Sequence, residues 1–422
     1  MIDIKLIRQN PELIKKSQIW RGKDPKVVDS LLEIDILYRN AITNSENLRA
    51  EQNDLGKLIP KAKPEEKEQL LQKLKILSNQ TESGKNQTLQ LEQKYLKLAK
   101  SLDNLIVDAP RGGEEDYIVL EEIGQPKSTL AKNLKIKDHL TIGQDLDILD
   151  TARGAKVSGA RFYFLKGLGA RLELALQRLA LDTAIAENIT PIITPTLVLP
   201  EIMEGTGFLG EHAAEVYKLA EPDNAYLVGT SEVPIAGFHQ GEILDLEKDP
   251  LSYAGISTCY RREAGSYGKD TKGIIRVHQF NKIEMFVFCK PEIAQDQHQR
   301  ILNIEKKMLS AMEIPYRVID IAAGDLGSSA ARKFDCEAYL PSQNRYLELT
   351  STSNCTTYQA RRLNIRYIGN DGKKHMAATL NGTLATTRWL VALLENHQQA
   401  DGSVKIPQAL IKYMDGIEYI RK

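Results

Sequence analysis

What this 422-residue chain lacks already narrows its function. Cysteine is scarce. The four present, Cys259, Cys289, Cys336 and Cys355, form no Cys-x-x-Cys spacing and have no nearby histidine pair. That argues against a zinc site and leaves scattered, reduced core thiols as the expectation. Net charge is missing too, since 56 Lys and Arg balance 56 Asp and Glu. Bulk charge therefore announces no nucleic-acid partner, and any basic surface must be local. No apolar run reaches the roughly 18 residues of a membrane span. Met1 to Asn10 has no signal-peptide layout. Both absences favour the cytoplasm. No Gly-x-x-x-x-Gly-Lys-Ser/Thr loop occurs, which disfavours a P-loop enzyme. Gly167-Leu168-Gly169 would need a third glycine where Leu172 stands, so it reads as a helix start without a phosphate role.

Residues 27–104 also lack Trp and Phe, and their only prolines are Pro60 and Pro64. What they have is Leu, Lys, Glu and Gln, with Leu70, Leu74 and Leu77, then Leu91, Tyr95 and Leu98, at helical spacing. The pattern predicts two long helices, 27–59 and 65–103, broken at the prolines and folded back as an antiparallel hairpin. About 35 residues at 1.5 Å rise span roughly 50 Å. Two such helices bury no globular core, so a projecting arm is expected. Its uneven charge suits a solvated coiled-coil face as readily as an RNA contact.

The texture changes after Pro110 and Gly112-Gly113. A helix is predicted over 170–187 with Asn188 as its stop, a strand from Ile192 to Val198, strands over 256–263 and 274–288 joined by a Gly-rich loop, and a helix over 291–313. Adjacent strands without crossover helices favour an antiparallel sheet with flanking helices. The fold class is thus α+β, with an arm over 1–105 and a catalytic domain over 106–422. Strand alternation aligns Arg261 with Glu263, and Arg276 with His278, Phe280, Lys282 and Glu284. Two arginines, carboxylates and an aromatic ring on one face suit a nucleotide. A charged outer sheet face explains the same pattern.

Tyr260-Arg261-Arg262-Glu263, a Gly-rich loop and Arg276-Val277-His278-Gln279-Phe280 resemble motif 2 of class II aminoacyl-tRNA synthetases. Leu380-Asn381-Gly382-Thr383-Leu384-Ala385-Thr386-Thr387-Arg388 resembles motif 3, and the helix and strand ending at Pro195 resemble motif 1. Thr230-Ser231-Glu232, Glu348-Leu349-Thr350-Ser351 and the N-terminal hairpin are similar to the seryl branch. The resemblance spans nearly the whole chain.

The resemblance implies serine activation by ATP, then transfer to serine tRNA and, where present, selenocysteine tRNA. It implies that Arg261 bridges the serine carboxylate and the α-phosphate, with Arg388 the second catalytic arginine. Glu263, the Val277 backbone and Phe280 would take the adenine. Arg276 and Arg388 would hold the outer phosphates, and Arg262, Leu349 and Thr350 would complete the ATP site. Glu348 and Ser351 would ligate Mg²⁺. These two are three apart, so a bulge is needed to bring them to one face. Thr230, Ser231 and Glu232 would receive the serine amine, Thr230 and Glu232 from one strand face. Glu284 and Thr383 would hold its hydroxyl. Many relatives carry one more residue in motif 3, which leaves the register of Thr383 open. The resemblance also implies a homodimer through motif 1, a hairpin that grips the long variable arm of the tRNA, and the zinc-free type of enzyme. A ligase that loads a carrier protein, or a non-catalytic derivative, would share parts of this pattern.

Overall fold

The computed structural model describes residues 1–126, 135–264 and 272–422, in two compact units, Met1–Leu105 and Ile106–Lys422. The Gly-rich loop of the motif 2 resemblance falls largely on 265–271, outside the described residues.

In the first unit, Asp3 caps α1 (Ile4–Gln9) by accepting from Lys5 N–H, and Asn10 with Pro11 starts α2 (Pro11–Trp20). Then come α3 (Lys26–Leu58) and α4 (Pro64–Ser101), of 33 and 38 residues, or about 50 and 57 Å. A short 3₁₀ turn holding Pro60 (Ile59–Lys61) joins them, and Pro64 opens α4. Facing contacts run antiparallel. Tyr38 stacks on Tyr95 at 5.5 Å, the Thr88 hydroxyl reaches Ala41 O, and Gly84 meets Leu48. The core of this unit gathers at the hairpin base, where Ile7, Ile14, Val28, Leu31, Ala99 and Leu102 are buried. There Arg8 forks onto the buried carboxylate of Asp35 at 2.8 and 2.6 Å.

The second unit is built on an eight-stranded sheet. Its strands are β1 (Ile118–Ile123), β2 (Thr190–Ile193), β3 (Leu251–Tyr260), β4 (Gln279–Cys289), β5 (Tyr316–Asp320), β6 (Arg332–Leu340), β7 (Arg345–Asn354) and β8 (Ala378–Thr386). The spatial order is β1-β5-β6-β7-β8-β4-β3-β2. Within this sheet, among the described residues, only the β2–β3 pairing is parallel. Helices α5 (Gly167–Ala186), α7 (Ala294–Ala311) and α8 (Trp389–Asn396) share one core with β4 residues Ile283, Met285 and Val287. The alternate residues Phe286 and Phe288 pack on the opposite face, beside α6 (Glu232–Phe238). All four cysteines are free and buried.

Three strand expectations are corrected. The stretch Ile192 to Val198 is two strands. Beyond Ile193, Thr194-Pro195 leaves the main sheet, since proline has no N–H to give to a ladder. Leu197–Val198 then pairs with Tyr226–Leu227 in a small sheet. The strand placed over 256–263 ends at Tyr260, and Glu263 turns to a left-handed φ of 52°. The strand placed over 274–288 starts only at Gln279, because Gly273 has φ 71° and Ile274 lies in a turn.

Candidate active site

Alternation along β4 lays Phe280, Lys282 and Glu284 on the face away from α7; Phe280 and Lys282 line a cleft, and Glu284 is buried beside Lys282. The cleft is walled by Arg261, Glu263, Ile274 to Val277, Glu348, Leu349, Thr383, Thr386 and Arg388. Lys282, which the sequence reading left without a role, lies at its centre. Its Nζ is 2.6 Å from Glu284 Oε2 and donates to Thr230 Oγ1 at 3.2 Å. A bulge shifts the β4–β8 register so that Glu284 faces Thr383, and the Thr383 hydroxyl bonds Glu284.

Glu232 comes to the same buried cluster from α6, not from a strand shared with Thr230. It is the first residue of that helix. Gln359 Nε2 donates to it at 2.6 Å, and Asn381 bonds it as well. Neither partner was singled out from the sequence. Burial first, and the neighbouring Glu284 second, push Glu232 up to about 7. Burial also raises Glu284, against the opposing charge of Lys282. Two buried acids share one buried lysine, so the cluster has an unmet demand for positive charge.

The rim carries the opposite imbalance. The Arg261 guanidinium stacks over Phe280 at 5.2 Å and donates to Gly229 O, both nitrogens at 3.3 Å. Arg276 Nη1 donates to Glu263 at 3.4 Å. Arg388, the N-cap residue of α8, donates to the carbonyl of Glu348 at 3.0 Å and to that of Ile275 at 3.3 Å. Desolvation lowers its pKa. Glu348 opposes that fall, and the cations Arg261 and Arg276 add to it. Arg261, Arg276 and Arg388 on one cleft give a rim of like charge, ready for an anion.

The Glu348–Ser351 spacing is resolved by the bulge the sequence demanded. Glu337 pairs with Glu348 but Cys336 with Thr350, which leaves Leu349 as the extra residue. Glu348 and Ser351 thereby share the face of Glu337 and Asp335, and Ser351 bonds Asp335. Desolvation acts against the Glu348 charge. Lys333, Arg388 and Arg261 outweigh it and hold the carboxyl below its usual range.

Three expected residues turn elsewhere. Thr350 points to the α7 side and donates to Glu305 at 2.8 Å, so only its backbone is near the cleft. Ser231 is fully buried and donates to Gly255 O. Arg262 is exposed and is not among the residues walling the cleft.

Comparisons with known proteins bear on the family of the chain. Residues 1–106 match the family described as seryl-tRNA synthetase N-terminal domain, and 217–397 match the tRNA synthetase class II core domain (G, H, P, S and T). The chain is 57% identical over 415 residues to the serine--tRNA ligase of Mycolicibacterium vanbaalenii, with 98% of each chain covered. It is 55% identical over 421 residues to that of Mycobacterium bovis, covering 100% of this chain and 99% of the other. Among solved structures, seryl-tRNA synthetase from Pyrococcus horikoshii complexed with ATP superposes with a TM-score of 0.92 at 40% identity, over 100% and 99% of the two chains. A cytoplasmic serine-tRNA ligase from Naegleria fowleri in complex with AMP gives 0.89 at 34%, with the same coverage.

Proposed function

The chain belongs to the seryl-tRNA synthetase family, and on that premise we propose how its cleft divides the work. The protein activates serine with ATP to seryl-adenylate, then transfers the seryl group to the 3′ end of serine tRNA. In the first step a serine carboxylate oxygen attacks the α-phosphorus and pyrophosphate leaves. In the second a terminal ribose hydroxyl attacks the acyl carbon and AMP leaves. Neither step needs an enzyme nucleophile, so placement and charge stabilisation carry the rate.

Arg261 bridges the serine carboxylate and the α-phosphate, releasing its bonds to Gly229 O to do so. Phe280, Glu263 and the backbone at Val277 take the adenine, and Arg276 and Arg388 take the outer phosphates. Glu348 and Ser351 would hold Mg²⁺. Their hard oxygens on one face suit an ion that keeps waters and shares phosphate oxygens. When bound, that ion neutralises phosphate charge. Glu232 receives the serine ammonium, which supplies the cation the two-acid cluster lacks. Glu284 and Thr383 hold the hydroxyl, and alanine would leave them unpaired. The observation that carries this reading is Lys282, lining one cleft with the arginines Arg261, Arg276 and Arg388 and paired to the buried Glu284, with the buried Glu232 within reach of both.

Beyond the cleft, the α3–α4 hairpin grips the long variable arm of the tRNA, where backbone and shape contacts suit a long helical reader of modest charge. Two copies pair through α5 and β2, where Leu174, Ile185 and Ile193 are 64%, 55% and 82% exposed. The cytoplasm, where ATP, serine and tRNA meet, is the place of work.

The test is serine-dependent ATP–pyrophosphate exchange without tRNA, alongside threonine, alanine and glycine and with Mg²⁺ present or chelated. Exchange with serine alone, lost on chelation, is expected. Comparable exchange with alanine would sink the hydroxyl-reading roles of Glu284 and Thr383. Unchanged exchange in chelator would remove the ion from the reading.

A further inference from the structure

The wall of the cleft formed by Ile274 to Val277 is itself held from behind by a histidine that does not line the cleft. His139 is 1% exposed and opens the helix His139–Asp145. Its Nδ1 lies 3.1 Å from Glu395 Oε1, and its own backbone N–H donates to the same oxygen at 3.1 Å. On the other side of the ring, Nε2 accepts from the backbone N–H of Ile274 at 3.1 Å. A peptide N–H can only donate, so Nε2 must be bare and the ring proton must sit on Nδ1, facing Glu395.

Both ends of this relay lead to the nucleotide machinery. Glu395 is fully buried near the end of α8, the helix that Arg388 begins, and its second oxygen accepts from Ser342 N–H. Ile274 is the first described cleft residue after the Gly-rich loop, and Arg388 donates to the carbonyl of its neighbour Ile275. Gly273, just before it, leaves room for the ring. A Cβ there would lie 1.9 Å from His139 Nε2. Gln398 clamps the strut in place, bonding both the N–H and the carbonyl of Lys137.

We infer that His139, oriented by Glu395, is a positioning residue for ATP. It fixes the returning end of the loop so that the Ile274–Val277 wall and the Arg388 guanidinium stay in register with one another. This rests on the nucleotide occupying that cleft, as proposed above. The relay does not reach the Glu232–Lys282–Glu284 cluster, so its loss acts on ATP and spares serine.

The test compares His139→Asn with His139→Gln in pyrophosphate exchange by the full-length protein. Asparagine can reach Glu395 but not Ile274. Glutamine places an acceptor near the Nε2 position. His139→Asn should raise the ATP KM about tenfold and leave the serine KM within about twofold, while His139→Gln recovers most of the loss. If both variants shift ATP and serine alike, or neither shifts ATP, the inference is overturned. Should His139→Asn fail to fold, Gly273→Ala, which crowds Nε2 from the loop side, must give the same ATP-selective rise; equal loss for both substrates there also overturns it. Wild-type protein that exchanges nothing would instead strike the functional reading on which the inference rests.

Discussion

At the scale of single residues, Glu232 makes the sharpest prediction. Its free carboxyl sits at about 7, lifted by burial and by Glu284, and it must be ionised to receive an ammonium group. The ionised fraction grows as pH rises through that value. kcat/KM for serine should therefore climb about tenfold between pH 6 and pH 8. The corresponding value for ATP at saturating serine should stay nearly flat. Glu232→Gln should remove the climb. A flat serine profile in the unsubstituted protein would contradict the role. That Arg261, Phe280 and Arg388 lie on one cleft was legible in the sequence because each is carried by a motif. Lys282 was visible as a member of the same alternation, yet nothing in a one-dimensional pattern says that a lysine between Phe280 and Glu284 will be buried with two acids. Ser231 and Thr350 came with the short segments that resemble the seryl branch, and their side chains bond Gly255 O and Glu305 instead.

At the scale of elements, regular pieces were readable and their interruptions were not. The helices end within a few residues of their expected limits, because proline, capping residues and the apolar period act locally. The strands around the Gly-rich loop were drawn too long, because positive φ at Glu263 and Gly273 is a tertiary requirement that alternation cannot reveal. The bulge in β7 was the exception, since two residues with one task sat at a spacing that a regular strand forbids.

Gly382 in β8 shows the same tertiary logic in a motif residue. A Cβ there would fall 2.2 Å from Ile301 Cγ2 and 2.9 Å from Glu305 Oε1, so the glycine lets α7 press against the sheet. Gly382→Ala should destabilise the protein by about 1–3 kcal/mol, read as a lower urea midpoint. An unchanged midpoint would mean that the helix gives way without cost.

At the scale of the whole molecule, the chain separates a unit with a small core at one end of a long hairpin from a unit with a large continuous core. The cleft proposed for activation is lined by residues of the second alone. Deleting residues 30–100 should therefore leave serine-dependent pyrophosphate exchange within about twofold of the full chain and abolish tRNA charging. The shortened protein should sediment as the same dimer as the parent, because Leu174, Ile185 and Ile193 remain. Equal loss of exchange and charging would refute the division of labour. A monomer in sedimentation for either protein would refute pairing through α5 and β2.

The bulge at Leu349 also sets what changes of length the second unit can absorb. A one-residue deletion between Glu348 and Ser351 would only smooth β7 into an even ladder, with Glu348 and Ser351 still facing the same way. The same deletion at Thr352, where β7 is laddered to β6 and β8 together, would turn one half of the strand inside out. A change of length in this strand is therefore expected to be tolerated only where parity is already broken. The place where a residue is surplus to the ladder is also the place that brings Glu348 to the wall of the cleft.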